Sequence, residues 1–446
     1  MRPVRTALDN SLGVAFVMSL VFGATAAAAP PSTQVEQTTP LHEAVHQKDA
    51  AKAAALVKAG ADVNRVNRYG VTPLSLAAGN GDATITRLLL DAGADLRKAD
   101  AALTDGRTVL MLAARTGSVE AMALLVAHGA DVNAVERRMG TTALMWAAAE
   151  DRGAAVRALA EAGADVNARS KVTAYPHTPP GVIGDPLEEG YSYVGQTVLP
   201  RGRWTALMYA ARQGSMNAAR ALADAGADLN AIDPDGTPAL TFAIINGHYD
   251  IARLLAERGA NVNVADRTGA TPLYAAVDMH TLASSFGRPD LTPPVVDGSV
   301  DAVRMLLAHG ADPNARLKGR VLKRVYNAGD PRLAEGATAL MRAAKNADVT
   351  LMRLLIDAGA DVNAVNVAGE TAVHYAASSP AAIRLLAEHG AALEIATARG
   401  LTPLQTALSG REPNAEAVAL LRELTGDFTT QQAAGESSKG NVQRAK

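Results

Sequence analysis

A five-residue stretch, GADVN at Gly60–Asn64, returns so often that it fixes the architecture open to the chain. It recurs as GADLR from Gly93, GADVN from Gly129 and Gly163, GADLN from Gly226, GANVN from Gly259, GADPN from Gly310, GADVN from Gly359 and GAALE from Gly390. Successive glycines stand 33, 36, 34, 63, 33, 51, 49 and 31 residues apart. A repeated unit of about 33 residues marks a solenoid, in which each unit buries its apolar face only against its neighbours. The three long intervals read as one unit plus insertions of about 30, 18 and 16 residues. This overrules the two or three globular domains that a 446-residue chain suggests by length alone.

Each unit carries the same parts in the same order. Thr-Pro-Leu or Thr-Ala-Leu opens most of them, at Thr39, Thr72, Thr142, Thr205, Thr271, Thr338 and Thr402, with Thr371-Ala372-Val373 as a variant. A Thr hydroxyl accepts from the orphan amides of a helix start, and Pro at the next position loses no hydrogen bond there. A first helix is therefore expected at each site. Small pairs such as Ala77-Ala78, Ala113-Ala114, Ala147-Ala148, Ala210-Ala211 and Ala343-Ala344 let neighbouring helices approach closely. A glycine or polar turn follows, then an amphipathic segment ending in Leu-Leu or its equivalent. The glycine of GAD suits a left-handed helix cap, and the Asp and Asn behind it suit a tight turn.

The pattern G-x-T-P-L-H-x-A-A…G…L-L-x-x-G-A-D-V-N closely resembles the ankyrin repeat. That resemblance implies an all-α solenoid of helix–turn–helix units joined by projecting β-hairpin loops, and a non-catalytic role in binding other macromolecules. Ten units are expected, at 38–66, 67–99, 105–136, 138–170, 202–233, 235–266, 267–316, 335–366, 367–397 and 399–426. The insertions fall at about 171–201, 278–298 and 317–334. The sixth unit departs from the pattern with Pro238 in place of Thr, and the ninth with GAALE.

The ends read differently. Arg2 and Arg5, the apolar run Leu12–Phe22 and the alanine-rich Ala24–Ala29 have the order of a secretory signal, with cleavage expected near Ala26–Ala28. A periplasmic or secreted location follows as an expectation, with 30–37 a linker and 427–446 a disordered tail poor in apolar residues. The chain has no cysteine, which excludes disulfides, thiolate metal sites and a Cys nucleophile. Lys and Arg total 43 against 45 Asp and Glu, so no whole-chain basic footprint points to nucleic acid.

One motif suggests catalysis. His42-Glu43-Ala44-Val45-His46 matches H-E-x-x-H, which on a helix sets two imidazoles toward zinc with Glu as general base, the mark of a zinc hydrolase. Against it, His42 belongs to Thr39-Pro40-Leu41-His42, where the family resemblance implies a structural hydrogen-bonding residue, and no third ligand is spaced nearby. The reading taken is no metal, no cofactor and no catalytic residue. His128, His309 and His389 precede their GA glycines, near the carbonyl end of a second helix, where a cation is mildly favoured.

Candidate contact residues lie where the fold does not require them. The first insertion holds Tyr175, Tyr191 and Tyr193, with Trp204 just beyond, in a chain with 4% aromatics. The third is basic, with Lys318, Arg320, Lys323 and Arg324 beside Tyr326. Hairpin tips before the Thr positions add Arg65, Arg68, Tyr69, Arg137, Arg138, Met139 and Arg203. The function expected is a monomeric protein-binding module or scaffold that uses its hairpin loops, inner helices and insertions. The alternatives are the zinc hydrolase and a structural or stress-protective periplasmic scaffold.

Overall fold

The computed structural model describes residues 38–172, 202–281, 293–319, 333, 335–410 and 412–426. The expected leader, linker and tail, and candidates Tyr175, Tyr191, Tyr193, Arg320, Lys323, Arg324 and Tyr326, lie outside the described residues.

Helices follow one another in pairs. The N-terminal half holds α1 (Pro40–His46) and α2 (Ala50–Lys58), α3 (Pro73–Gly79) and α4 (Ala83–Asp91), then a lone α5 (Leu96–Ala102). It continues with α6 (Val109–Thr116) and α7 (Val119–Ala127), α8 (Ala143–Ala149) and α9 (Gly153–Glu161), α10 (Ala206–Gln213) and α11 (Met216–Asp224). Beyond these come α12 (Ala239–Ile245) and α13 (Tyr249–Glu257), α14 (Pro272–Thr281) and α15 (Pro293–Ala308), α16 (Ala339–Lys345) and α17 (Val349–Asp357). The last are α18 (Ala372–Tyr375) and α19 (Pro380–Glu388), α20 (Pro403–Leu408) and α21 (Ala415–Thr425). First helices pack on the first helices of adjacent units and second helices on second, which makes two parallel rows.

The local chemistry matches the expected starts. Thr39, Thr72, Thr108, Thr142, Thr205, Thr338 and Thr402 each accept from the backbone N–H three residues on, a cap that contributes about 1 kcal/mol. Pro238 makes no side-chain cap, as its substitution for Thr requires. The GAD glycines hold φ between 81° and 91°, and a Cβ built on any of them meets nothing within 4 Å. Backbone conformation alone selects glycine there.

Between the rows lies the core, with Ala77, Ala113, Ala147, Ala210 and Ala343 fully buried on the first helices and Leu89, Leu125, Leu222, Leu255, Leu306, Leu355 and Leu386 on the second. Burying each leucine contributes about 2 kcal/mol.

The Asn of D-V-N does more than turn the chain. Asn64 Nδ2 donates to Gly93 O at 3.2 Å while its Oδ1 accepts from Asp95 N at 2.7 Å, so one amide joins two units. Asn133, Asn263, Asn314 and Asn363 repeat both bonds to the next glycine and the residue two beyond it. Asn167 and Asn230 make the acceptor half, to Asp228 N and Asn261 N. The second unit has Arg97 at this position, and there the chain coils into α5, capped by Asp95. Asp100 of α5 then accepts from Val109 N at 2.7 Å and holds the start of α6.

Two junctions depart from the regular stack. At Gly153, a Cβ would stand 2.7 Å from Asn217 O, so α9 and α11 touch backbone to backbone. Asp151 of one unit caps the helix of the next, accepting from Ala218 N at 2.9 Å and Asn217 Nδ2 at 2.8 Å. These contacts join the two units that flank residues 173–201. At the other junction, parts of the expected 278–298 insertion are helix, because α14 runs on through Thr281 and α15 begins at Pro293.

Candidate protein-binding edge

Every unit turns into the next through a short loop just before its Thr. Among the described residues the loops are turns rather than paired strands, and Ile232 with Pro238 forms an isolated antiparallel bridge. A closing backbone bond marks each stem, as in Asn67 N to Val71 O, Glu136 N to Thr141 O, Asp233 N to Thr237 O and Asp266 N to Ala270 O. The first residue of the pair also holds the tip with its side chain. Asn67 Oδ1 accepts from Tyr69 N and Val71 N, and the nearly buried Glu136 carboxylate accepts from Arg138 N, Met139 N, Thr141 N and Thr141 Oγ1.

The first and third insertions leave from this same edge. Ser170 N donates to Trp204 O at 3.0 Å, and Arg203 N returns the bond to Ser170 O. Leu317 N donates to Ala337 O at 3.0 Å, and Gly336 N to Leu317 O at 2.8 Å. The stem is thus closed as in an ordinary unit. Ser170 and Leu317 are the positions where other units carry the tip-holding Asn, Asp or Glu. Arg169 and Arg316 brace these two stems by donating to Ile232 O and Val365 O of the following unit, each at 2.6 Å.

The sequence candidates that lie in described residues are placed as follows. Arg68 and Tyr69 are exposed at the first tip, with the guanidinium 4.6 Å from the ring centroid. Arg137, Arg138 and Met139 are exposed together on the tip before Thr142. Arg137 lies across Gly106 of the preceding loop, and its N–H donates to Asp105 O at 3.2 Å. Trp204 is half-buried at the stem, set edge-on to Tyr209 and Phe242 with centroids 5.3 and 5.1 Å away, and Arg212 stacks 5.1 Å from it.

The H-E-x-x-H stretch has a different geometry from a metal site. His42 is buried, its Nδ1 lies 2.8 Å from Thr39 Oγ1, and its Nε2 donates to Val71 O at 3.0 Å. Both ring nitrogens are therefore engaged, and burial lowers the pKa below its usual value, which favours the neutral ring. His46 is exposed on the last turn of α1. His374 repeats the pattern, with Thr371 at its Nδ1 and Leu401 O at its Nε2. His128, His309 and His389 bond through Nδ1 to the carbonyl four residues back, at the helix ends where the sequence sets them.

A polar cluster near α14 escaped the sequence reading, which assembles no Ser/His/Asp arrangement. His280 reaches Ser299 and Asp348, and Arg342 forms a buried ion pair with Asp278 at 2.6 Å. Ser299 is fully buried, so its hydroxyl presents no face to a substrate. The one sequence signal was that His280 falls outside the repeat register.

A family model described as ankyrin repeats (3 copies) matches at residues 13–100, 96–170, 192–266, 235–317, 297–397 and 340–432. The chain belongs to the ankyrin-repeat family. The chicken (Gallus gallus) nuclear factor NF-kappa-B p105 subunit is 40% identical over 105 residues, which are 24% of this ankyrin-repeat chain and 11% of that protein. The human (Homo sapiens) B-cell lymphoma 3 protein is 38% identical over 106 residues, 23% of each. Zygote-specific protein 3 of Chlamydomonas reinhardtii is 37% identical over 125 residues, 28% of this chain and 31% of that one. The matched stretches thus span under a third of these relatives. Among solved structures, the ankyrin repeat domain of Bcl-3 is 26% identical with a TM-score of 0.41, covering 59% of this chain and 98% of that one. As an ankyrin-repeat protein, this chain is a protein–protein interaction module.

Proposed function

We propose that the chain is an exported, monomeric ankyrin-repeat module of ten units that binds a protein partner along its hairpin edge, without catalysis. The observation that carries this reading is the pair of closed stems on one edge, at Ser170/Trp204 and Leu317/Ala337, at the two places where the sequence carries its first and third insertions. Long insertions that stacking does not need are usually functional, and stems closed in the ordinary way leave the stack intact. The contact set comprises Arg68, Tyr69, Arg137, Arg138, Tyr175, Tyr191, Tyr193, Arg320, Lys323, Arg324 and Tyr326, with Trp204 supporting the stem. The basic and apolar leader at Arg2–Ala29 supports export to the periplasm or beyond.

Affinity capture from periplasmic extract with the native chain and a chain deleted for 172–200 tests the reading. The expected result is loss of the captured protein with unchanged thermal stability, since the stem bonds at Ser170 and Trp204 remain. Capture by the deleted chain equal to the native would remove the first insertion from the site, and no specific capture by the native chain would sink the proposal.

A further inference from the structure

The first part of the hairpin edge is rich in exposed cations. In the first five units these include Arg68, Arg97, Lys98, Arg137, Arg138, Lys171 and Arg203, and none of these has a carboxylate partner among the described residues. Asp62, Asp131 and Asp165, exposed in the turns before these loops, each accept a backbone N–H two residues on, and the carboxylates of the loops themselves are engaged. Asp105 pairs with Arg107, Asp100 caps α6, and Glu136 is nearly buried under four hydrogen bonds. Further along, the loops carry both signs: Asp266 is buried under three hydrogen bonds, Arg267 is tied to Asp235 at 2.8 Å, and Arg316 and Lys318 stand exposed on either side of Leu317.

The basic part is also continuous and partly apolar. The backbone of Gly70 abuts Ala102 O, Arg137 covers Gly106, and Lys171 covers Gly140 while donating through its N–H to Met139 O at 2.7 Å. Between the cations stand Tyr69, Val135, Met139 and Val172, which are 57%, 53%, 43% and 47% exposed. Alternation of unpaired cations with exposed apolar side chains suits a polypeptide that carries both acids and apolar residues. A phosphate backbone has no use for the apolar half, and the whole chain is not basic.

We propose that the hairpin edge from Arg68 to Arg203 is a track for an extended, acid-rich segment of the protein partner. This rests on the protein-binding reading above and names the chemistry of the partner. Packed helices stand about 8–10 Å apart, so the tips repeat at about that distance. A polyproline II chain rises about 3.1 Å per residue with three residues per turn, so a carboxylate at every third position keeps to one face and meets one tip after another. An acid-rich segment does not hold a helix when free, because like charges three or four residues apart oppose it.

The test uses the purified full chain and a labelled synthetic peptide with Glu at every third position and Leu or Tyr between. Fluorescence anisotropy reads binding, and the same peptide with Gln for Glu is the first control. Expected results are binding that weakens with added salt, at least about tenfold weaker binding of the Gln peptide, and a similar loss in R137E/R138E. R68E, at an exposed tip residue whose guanidinium bonds to Tyr69, serves as a second variant in case the first unfolds, and R399E at the far end leaves affinity unchanged. Equal binding of the Gln peptide, or native affinity in both R68E and a folded R137E/R138E, overturns the track. Oligothymidine binding as tightly as the Glu peptide overturns it in favour of a nucleic-acid surface. Natural-partner capture by R137E/R138E at the native level sinks the track and leaves the binding module standing, whereas no capture by the native chain sinks the module itself.

Discussion

His280 stands between two partners, its Nε2 at 2.8 Å from Asp348 Oδ2 and its Nδ1 at 2.7 Å from Ser299 Oγ. The three residues come from α14, α15 and the start of α17, so the contact binds one unit to the next where α14 and α15 are longest. Asp348 also accepts from Leu351 N at 2.9 Å as the cap of α17. Desolvation alone would raise its pKa, but the His280 and backbone hydrogen bonds outweigh it and lower the value. Replacing Asp348 with Ala removes cap and bridge together. The expected loss is about 2–3 kcal/mol, read from the urea midpoint.

The neighbouring ion pair predicts a sign change between single and double substitutions. Arg342 and Asp278 are 5% and 3% exposed, and Arg342 occupies the helix position that holds Trp146, Tyr209 and Phe242 in other units. Asp278→Ala leaves a buried guanidinium without its carboxylate and should cost about 3–5 kcal/mol. The double change D278L/R342M should recover most of that loss. Chemical denaturation of both variants checks it, and equal destabilisation would show that the charges themselves are needed.

The Asn ladder predicts graded, local losses. Asn314→Ala deletes the bonds to Gly359 O and Asp361 N and should cost about 1–3 kcal/mol. Hydrogen exchange should speed up first in the units on either side of the lesion, as nearest-neighbour stacking requires. Asn230→Ala, which makes one such bond, should cost less.

Acid should loosen the stack before it affects the carboxylates. Burial lowers the pKa of His42, His248 and His374 in the folded chain from the ordinary 6.5. A lowered folded pKa means that the unfolded chain binds more protons, so the stability is full above 6.5 and is lost as pH falls toward the folded values. The melting temperature measured from pH 7.5 down to 5 should decline, and less steeply in a His374→Gln variant.

The solenoid was legible because its signals are local. Thr39 and Gly60 do their work within a few residues of themselves, so their spacing carried the helix starts and ends. What was missed depends on residues far apart in the chain. Asn64 bonds to groups 29 and 31 residues away, and Ser299 and Asp348 meet at a histidine no local pattern selects. The coil of α5 follows from one substitution, Arg97 for Asn, which removes the cross-unit amide. Composition marks Trp204 as rare, whereas its depth depends on Tyr209 and Phe242.

The central claim is that a protein partner is held on the hairpin edge while the helical stack stays as it is. Hydrogen–deuterium exchange of the full chain, alone and with its captured partner, tests this most directly. The account predicts slowed exchange in the loops at 65–71, 134–141 and 168–172, with little change in second helices such as α13 and α17. Protection confined to the exposed faces of those second helices, with the loops unaffected, would contradict it.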